Sequence, residues 1–378
     1  MGRKPSSAAV PASASPSGRG EIEDVRAGGP RRNEGEIVSI HFFGRLPDGT
    51  TISEIRLANA AGASASILSF GAAVRDLVVP VEGAAPRRVV LGFETLDGYL
   101  ENNRYLGVTA GRHASRIDRG RLVIDGVAHQ LSLNEGGVHL HGGPVGFSRK
   151  PWQIVEADET SVTLGLVSPD GDDGYPGELH VRCTYRLLEP GALSVTMTAT
   201  TDAATIVNLA HHSYFTLLPG ESLRQHSLKV DARGYTPFGS DMVPTGEIAD
   251  VAGTPYDFRA KRSVANPFGD PEFLYDCAFV IDRAGHEDGK GLARAARLEA
   301  PDESLAMEVH TTEPCLIVYD GAGLEPSWPP TGGIAHVAHA GMCFEPMRYP
   351  DNPNQPAFPS AVLRPGEIYR QVTEYRFF

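Results

Sequence analysis

The stretch Leu179-His180-Val181-Arg182-Cys183-Thr184-Tyr185-Arg186-Leu187-Leu188-Glu189-Pro190-Gly191-Ala192-Leu193-Ser194-Val195-Thr196-Met197-Thr198-Ala199 decides the fold class. Leu179, Val181, Cys183, Tyr185 and Leu187 alternate with mostly polar neighbours. After Glu189-Pro190-Gly191 the alternation resumes with Leu193, Val195, Met197 and Ala199. Successive side chains of a strand point to opposite faces, so each run offers one apolar face to a core. Working outward, Leu305, Met307 and Val309 repeat the pattern. Turn signals separate such runs at Pro47-Asp48-Gly49, Asp125-Gly126 and Pro301-Asp302-Glu303. Stretches with helical period are short and few, and no repeat of propeller or solenoid type is present. The expectation is all-β: one large antiparallel β-sandwich with few short helices, over residues 36–378 and without an internal linker.

Composition agrees. The chain has 378 residues, 41% hydrophobic and 21% charged, which supports a sizeable core. Its 42 Gly and 29 Pro suit many turns between short strands. A net charge of −13 argues against a nucleic-acid partner, because phosphate contacts need clustered Lys and Arg. No apolar run is long enough to span a membrane. Four scattered cysteines, Cys183, Cys277, Cys315 and Cys343, contain no C-x-x-C pair. They read as reduced thiols of a cytoplasmic protein, not as a disulfide or zinc scaffold. Residues 1–35 are rich in Ser, Ala, Pro, Gly and Arg and poor in large apolar side chains, so a disordered tail is expected. That segment lacks the apolar region of a secretory signal. Its opening Met1-Gly2-Arg3-Lys4-Pro5-Ser6 meets the loose myristoylation pattern, a motif often met by chance.

Polar clusters interrupt the β pattern. His139-Leu140-His141 admits two readings, a pair of metal ligands on one strand face or separate polar residues; no carboxylate follows at short spacing. His211 and His212 point to opposite faces if they lie in a strand, and His212 then shares a face with Tyr214. Glu345 precedes Pro346, which cannot extend a ladder, so a position near a strand end is expected. Asp257 in Tyr256-Asp257-Phe258 reads equally as a turn former or cap.

In order, these clusters resemble the aldose 1-epimerase (galactose mutarotase) family. The resemblance runs from about Gly35 to the C-terminus. It is carried by Tyr99-Leu100 with Tyr105-Leu106-Gly107, by Gly111-Arg112 with Ser115-Arg116-Ile117, and by Leu140-His141-Gly142-Gly143 with Gly146-Phe147. Ser168-Pro169-Asp170-Gly171 with Gly174-Tyr175-Pro176-Gly177, and Asn208 with His212-Ser213-Tyr214-Phe215, continue it. Glu345, Asn354-Gln355-Pro356 and Leu363-Arg364-Pro365-Gly366-Glu367-Ile368-Tyr369 close it.

The resemblance implies a sandwich that binds a free monosaccharide and interconverts its anomers. That reaction needs a base for the anomeric hydroxyl and an acid for the ring oxygen, expected on opposite sides of the C1–O5 region. No hydride moves and no carbanion forms, so no cofactor and no metal are expected. By the family pattern Glu345 is the base and His212 the acid. Arg116, His141, Asp257, Ser115, Tyr214 and Glu313 match sugar-binding positions, with Tyr175 a candidate wall. Several positions depart from the family. Ser115 and His211 stand where Asn is common, and Met347 where Gln is. Cys315, Ile317, Asp320 and Ala322 replace a Gly, Gln, Thr and Asn pattern. Sugar identity is therefore less legible than reaction type. Three rivals remain open: a hexose-phosphate epimerase using Arg112, Arg259 or Arg348, a sugar-binding module without turnover, and a cupin-like metalloenzyme. Oligomeric state, monomer or dimer, is not legible.

Overall fold

The computed structural model describes residues 39–265, 273–284 and 287–378. The expected tail over residues 1–35 and its myristoylation pattern lie outside the described residues. The alternating stretch forms two ten-residue strands, Leu179–Leu188 and Ala192–Thr201. They pair antiparallel from Leu179↔Thr201 to Leu188↔Ala192. Leu179, Val181, Cys183, Tyr185 and Leu187 are buried, while His180, Arg182 and Arg186 face solvent. All four turn signals fall between paired strands, at 46–50, 125–126, 189–191 and 300–305.

These two strands lie within a nine-stranded antiparallel sheet. Its order is Gln153–Ala157, Ser161–Ser168, Leu179–Leu188, Ala192–Thr201, Tyr369–Phe377, Ala306–Thr311, Ala293–Glu299, Ser227–Val230 and Arg262–Ser263. A six-stranded sheet runs Tyr214–Phe215, Met342–Met347, Cys315–Tyr319, Asp276–Ile281, Ala232–Thr236 and Ala249–Asp250. Five strands between Ser39 and Arg88 form a third sheet. Among the described residues the one α-helix is the short Leu96–Glu101. The structure is thus the expected antiparallel β architecture.

One apolar core joins the three sheets. Tyr185 and Tyr375 enter it from the nine-stranded sheet, Phe215 and Phe344 from the six-stranded one, and Ile55 and Ile67 from the third. Each such large side chain contributes about 1.5–3 kcal/mol when fully buried. Within Met342–Met347, Met342 and Phe344 belong to this core, whereas Cys343 and Met347 join clusters on the opposite face. Glu345 shares that opposite face by its position in the alternation.

Two hydrogen bonds tie this strand to the large sheet behind it. Tyr375 Oη donates to the Phe344 carbonyl at 3.0 Å, and Gln371 Nε2 donates to the Pro346 carbonyl at 2.6 Å. Pro346 continues the ladder, contrary to expectation, by pairing with Leu316; the strand stops one residue later, so Glu345 does lie near its end. The neighbouring Tyr214–Phe215 strand pairs only with Met342 and Cys343, so Pro346 has no strand partner on that flank and no ladder donor is missed there. Tyr375→Phe leaves the buried Phe344 carbonyl without its donor. We expect a loss of about 1–3 kcal/mol in chemical denaturation, with the circular dichroism of the folded state unchanged.

Candidate active site

His212 lies just before the Tyr214–Phe215 strand. Its backbone is held from both sides: its N–H donates to the Val108 carbonyl and its carbonyl accepts from Gly107 N–H, each at 2.9 Å. As the alternation implies, His211 turns the other way, its ring beside Tyr185 and Tyr375 in the core. The His212 imidazole faces Glu345, with Nε2 3.5 Å from Oε1. Both side chains are buried, 5% and 3% exposed. Glu345 Oε2 is also buried and has no hydrogen-bond partner among the described residues. The two proposed proton-transfer groups therefore adjoin; they do not lie on opposite sides of a ring-sized gap.

His141 completes this floor, its ring 5.2 Å from that of His212. It sits at φ +50°, next to Gly142 at φ +94°. A Cβ on Gly142 would lie 1.7 Å from the Gly111 carbonyl oxygen, which explains the Gly-Gly that follows the histidine. Ser115 holds His141 through its backbone. Its N–H donates to His141 Nδ1 at 3.1 Å, and its carbonyl accepts from His141 N–H at 3.1 Å. His139, by contrast, contacts the Ser132 carbonyl and the Tyr175 hydroxyl. The two histidines of His-x-His do not share a site, and Tyr175 is a core aromatic, not a pocket wall.

Arg116 forms one wall. Its Nε donates to Glu135 Oε2 at 2.7 Å, and its Nη1 lies 3.8 Å from Asp276 Oδ2. The Asp351–Gln355 loop braces this arginine from behind. Asp351 N–H donates to the Arg116 carbonyl, while the Asp351 carboxylate accepts from Asp118 N–H, Asn354 and Gln355. Tyr105, absent from the expected set, packs against both histidines, 4.6 Å from His141 and 5.7 Å from His212. Tyr214 stands 5.3 Å from the His212 ring, but its hydroxyl proton goes to the Arg104 carbonyl.

Two expected residues do not join this group. Asp257 lies at the surface in a bidentate pair with Arg259. The site carboxylate is Asp276, which follows a tyrosine just as Asp257 does and opens the buried Asp276–Ile281 strand. That apolar run after Asp276, against the charged Arg259 after Asp257, was the available signal. Glu313 is buried in the turn before Cys315, its carboxylate accepting from Thr312 Oγ1. It is four residues from Ile317, the cross-strand neighbour of Glu345, roughly 13 Å at extended spacing. Burial pushes its carboxyl up to about 7.

Desolvation dominates the electrostatics. Burial drives the Glu345 carboxyl well above the carboxylate range, and the Asp276 charge adds to this while Arg116 opposes it. Burial likewise raises Asp276 to about 6 and lowers His212 to about 4. His141 falls well below its ordinary value, through burial and then the His212 charge.

His141, His212 and Glu345 bring ligand-type atoms within 4.8 Å of one another. This donor set does not fit a cation. A ligating imidazole offers one lone pair to the metal and donates from its other nitrogen. His141 has the reverse arrangement: Ser115 N–H occupies the Nδ1 lone pair, so the ring proton sits on Nε2. The geometry is that of hydrogen-bond donors and a buried carboxylate, suited to moving protons on a hydroxyl-rich ligand.

Comparison with known proteins narrows the class of this β-sandwich. Residues 53–376 match the family model for aldose 1-epimerase. The chain is 36% identical over 339 residues to an aldose 1-epimerase of Escherichia coli K12, covering 88% of this chain and 96% of that protein. It is 35% identical over 339 residues to a galactose mutarotase of Homo sapiens, with 89% and 97% covered. An aldose epimerase homologue from C. elegans superposes with a TM-score of 0.80 at 28% identity, over 86% of this chain and 98% of that one. A galactose 1-epimerase from Lactobacillus acidophilus gives 0.77 at 26% identity, over 91% and 99%. The chain belongs to the aldose 1-epimerase family of carbohydrate-acting isomerases.

Asp276 and Asp257 provide a paired test of the site boundary. Losing a charged partner for a sugar hydroxyl costs on the order of 1–3 kcal/mol. Asp276→Asn should therefore raise KM about 5–100-fold, and Asp257→Asn should leave KM within about twofold. Steady-state kinetics on the two variants checks both.

Proposed function

We propose that the protein interconverts the α and β anomers of a free aldohexose such as galactose or glucose, without a cofactor, by acid–base opening and reclosure of the ring. The observation that carries this reading is the buried Glu345–His212 contact with its unpartnered carboxylate oxygen. A buried acceptor without a partner is costly, and a ligand hydroxyl relieves it. The names of the mammalian relatives, galactose mutarotases, support the choice of sugar.

The reacting oxygens O1 and O5 are bonded to the same carbon. Acid and base must therefore be neighbours, and a separation of 3.5 Å suits them. Glu345 takes the O1 proton while His212 Nε2 gives its proton to O5; the C1–O5 bond breaks and C1=O1 forms. Rotation about C1–C2 presents the other carbonyl face, O5 adds to C1, and both protons return. The pair holds one proton at the start and one at the end, so nothing is consumed. His141 Nε2–H donates toward the charge that grows on O5. Arg116 and Asp276 bind the outer hydroxyls.

The engagement of its candidate cations counts against the phosphohexose rival. Arg112 is buried, with its guanidinium spent on Ser168, Pro169, Pro176 and Gly177 carbonyls, Arg259 pairs with Asp257, and Arg348 lies over the Tyr369 ring. The intact acid–base pair disfavours a module that only binds. Four free, buried thiols suit the reducing cytoplasm.

Polarimetry on freshly dissolved α-galactose and α-glucose should show accelerated approach to equilibrium. Glu345→Gln and His212→Asn should each slow it by about 10²–10⁴-fold; near-normal turnover in either defeats that role. The pair works only while it holds one proton. As pH falls through about 4, His212 gains a second proton and no base remains, so kcat/KM should fall there. Prior dialysis against a chelator should leave turnover unchanged.

A further inference from the structure

Cys343 touches His212, yet the proton transfers leave it without a task. It is fully buried, two residues before Glu345 on the same strand face. Its Sγ lies 3.5 Å from His212 Nδ1. The other ring nitrogen, Nε2, faces Glu345. We infer that Cys343 is the positioning residue that keeps the second proton of His212 on Nδ1, so that only Nε2 exchanges a proton with the sugar.

The inference rests on the acid role of His212. When imidazolium gives its Nε2 proton to O5, the neutral ring left behind must keep its other proton on Nδ1. Only then does Nε2 carry a free lone pair that can take the proton back on reclosure. If the proton migrated to Nε2, the ring would block its own return step. A group accepting from Nδ1–H prevents this. The Cys343 sulfur is such an acceptor, and burial with the neighbouring Glu345 charge keeps the thiol protonated, so it brings no charge of its own.

The weakness of sulfur as an acceptor is useful here. A carboxylate at that position would stabilise imidazolium and hold the Nε2 proton back from a weakly basic ring oxygen. A thiol orients the ring and leaves the proton acidic. The other groups facing His212 act on the ring face or on Nε2: Tyr105 and His141 from the preceding loops, Tyr214 on its own strand, and Glu345. His211 lies beside it in sequence and faces the core, and Asp276 and Arg116 act on Glu345.

The test compares Cys343→Ala, Cys343→Ser and His212→Asn in the full chain by polarimetry on α-galactose, with melting temperature alongside. Cys343→Ala should lower kcat about tenfold or more with KM within about twofold, and Cys343→Ser should restore kcat to within about threefold of the parent. Hydroxyl oxygen accepts better than sulfur, so the acid limb of kcat/KM should move up in pH in Cys343→Ser and down in Cys343→Ala. If kcat merely follows melting temperature and neither limb moves, Cys343 only packs and the inference is overturned. If His212→Asn keeps turnover, the acid role itself is wrong. If His212→Asn is inactive but Cys343→Ala matches the parent, only the positioning role falls.

Discussion

Everything in this molecule is arranged around one awkward contact, a carboxylate and an imidazole buried together 3.5 Å apart. In water the carboxyl would be ionised at neutral pH and the imidazole would exchange its proton readily, with an ordinary pKa of about 6.5. Burial disfavours both charges, raising the carboxyl and lowering the imidazole. Under the proposed function, this desolvated pairing of a carboxyl with an imidazole is what serves a reversible proton exchange with two weakly basic oxygens. It survives only if water is kept out and the partners cannot turn away to satisfy themselves elsewhere.

The sheets supply that restraint. The strand bearing Glu345 is pressed between the core behind it and the histidines in front, and Tyr375 and Gln371 fix its carbonyls from the large sheet. His212 is clamped by Gly107 and Val108, and His141 by Ser115. Strands thus place Glu345, Asp276 and Arg116, while His212 and His141 lie in irregular segments beside them. The Asp351–Gln355 loop makes a compact hydrogen-bonded brace whose outward consequence is the placement of Arg116.

The framework was legible in the chain because alternation and turn chemistry are local properties. Leu179–Leu188 and Ala192–Thr201 form as their pattern predicts, and the divergence of His211 and His212 follows from the same rule. What was misplaced depends on contacts between distant segments. Two Tyr-Asp pairs are alike locally; only the packing of the following strand brings Asp276 beside Arg116 and leaves Asp257 with Arg259. Pro346 stays inside a strand because its neighbour is short. The tautomer of His141 is set by a backbone N–H in a left-handed turn that no side-chain pattern announces.

The departures from the family pattern gather where they alter recognition more than chemistry. Asp320 caps its own loop, accepting from Tyr275 and Ala322 N–H groups. Ile317 is different: it lies directly across the ladder from Glu345, on the same face, among the apolar Ala278, Cys315 and Met347. An isoleucine there cannot donate to the carboxylate, and Oε2 has no hydrogen-bond partner among the described residues. A donor at this position would hold part of the negative charge in place and lower the basicity of the group. Its absence leaves the carboxylate more basic and makes the incoming hydroxyl the group that satisfies it. Under the proposed function a sugar hydroxyl completes this floor, and discrimination among sugars falls to Arg116 and Asp276 beside it.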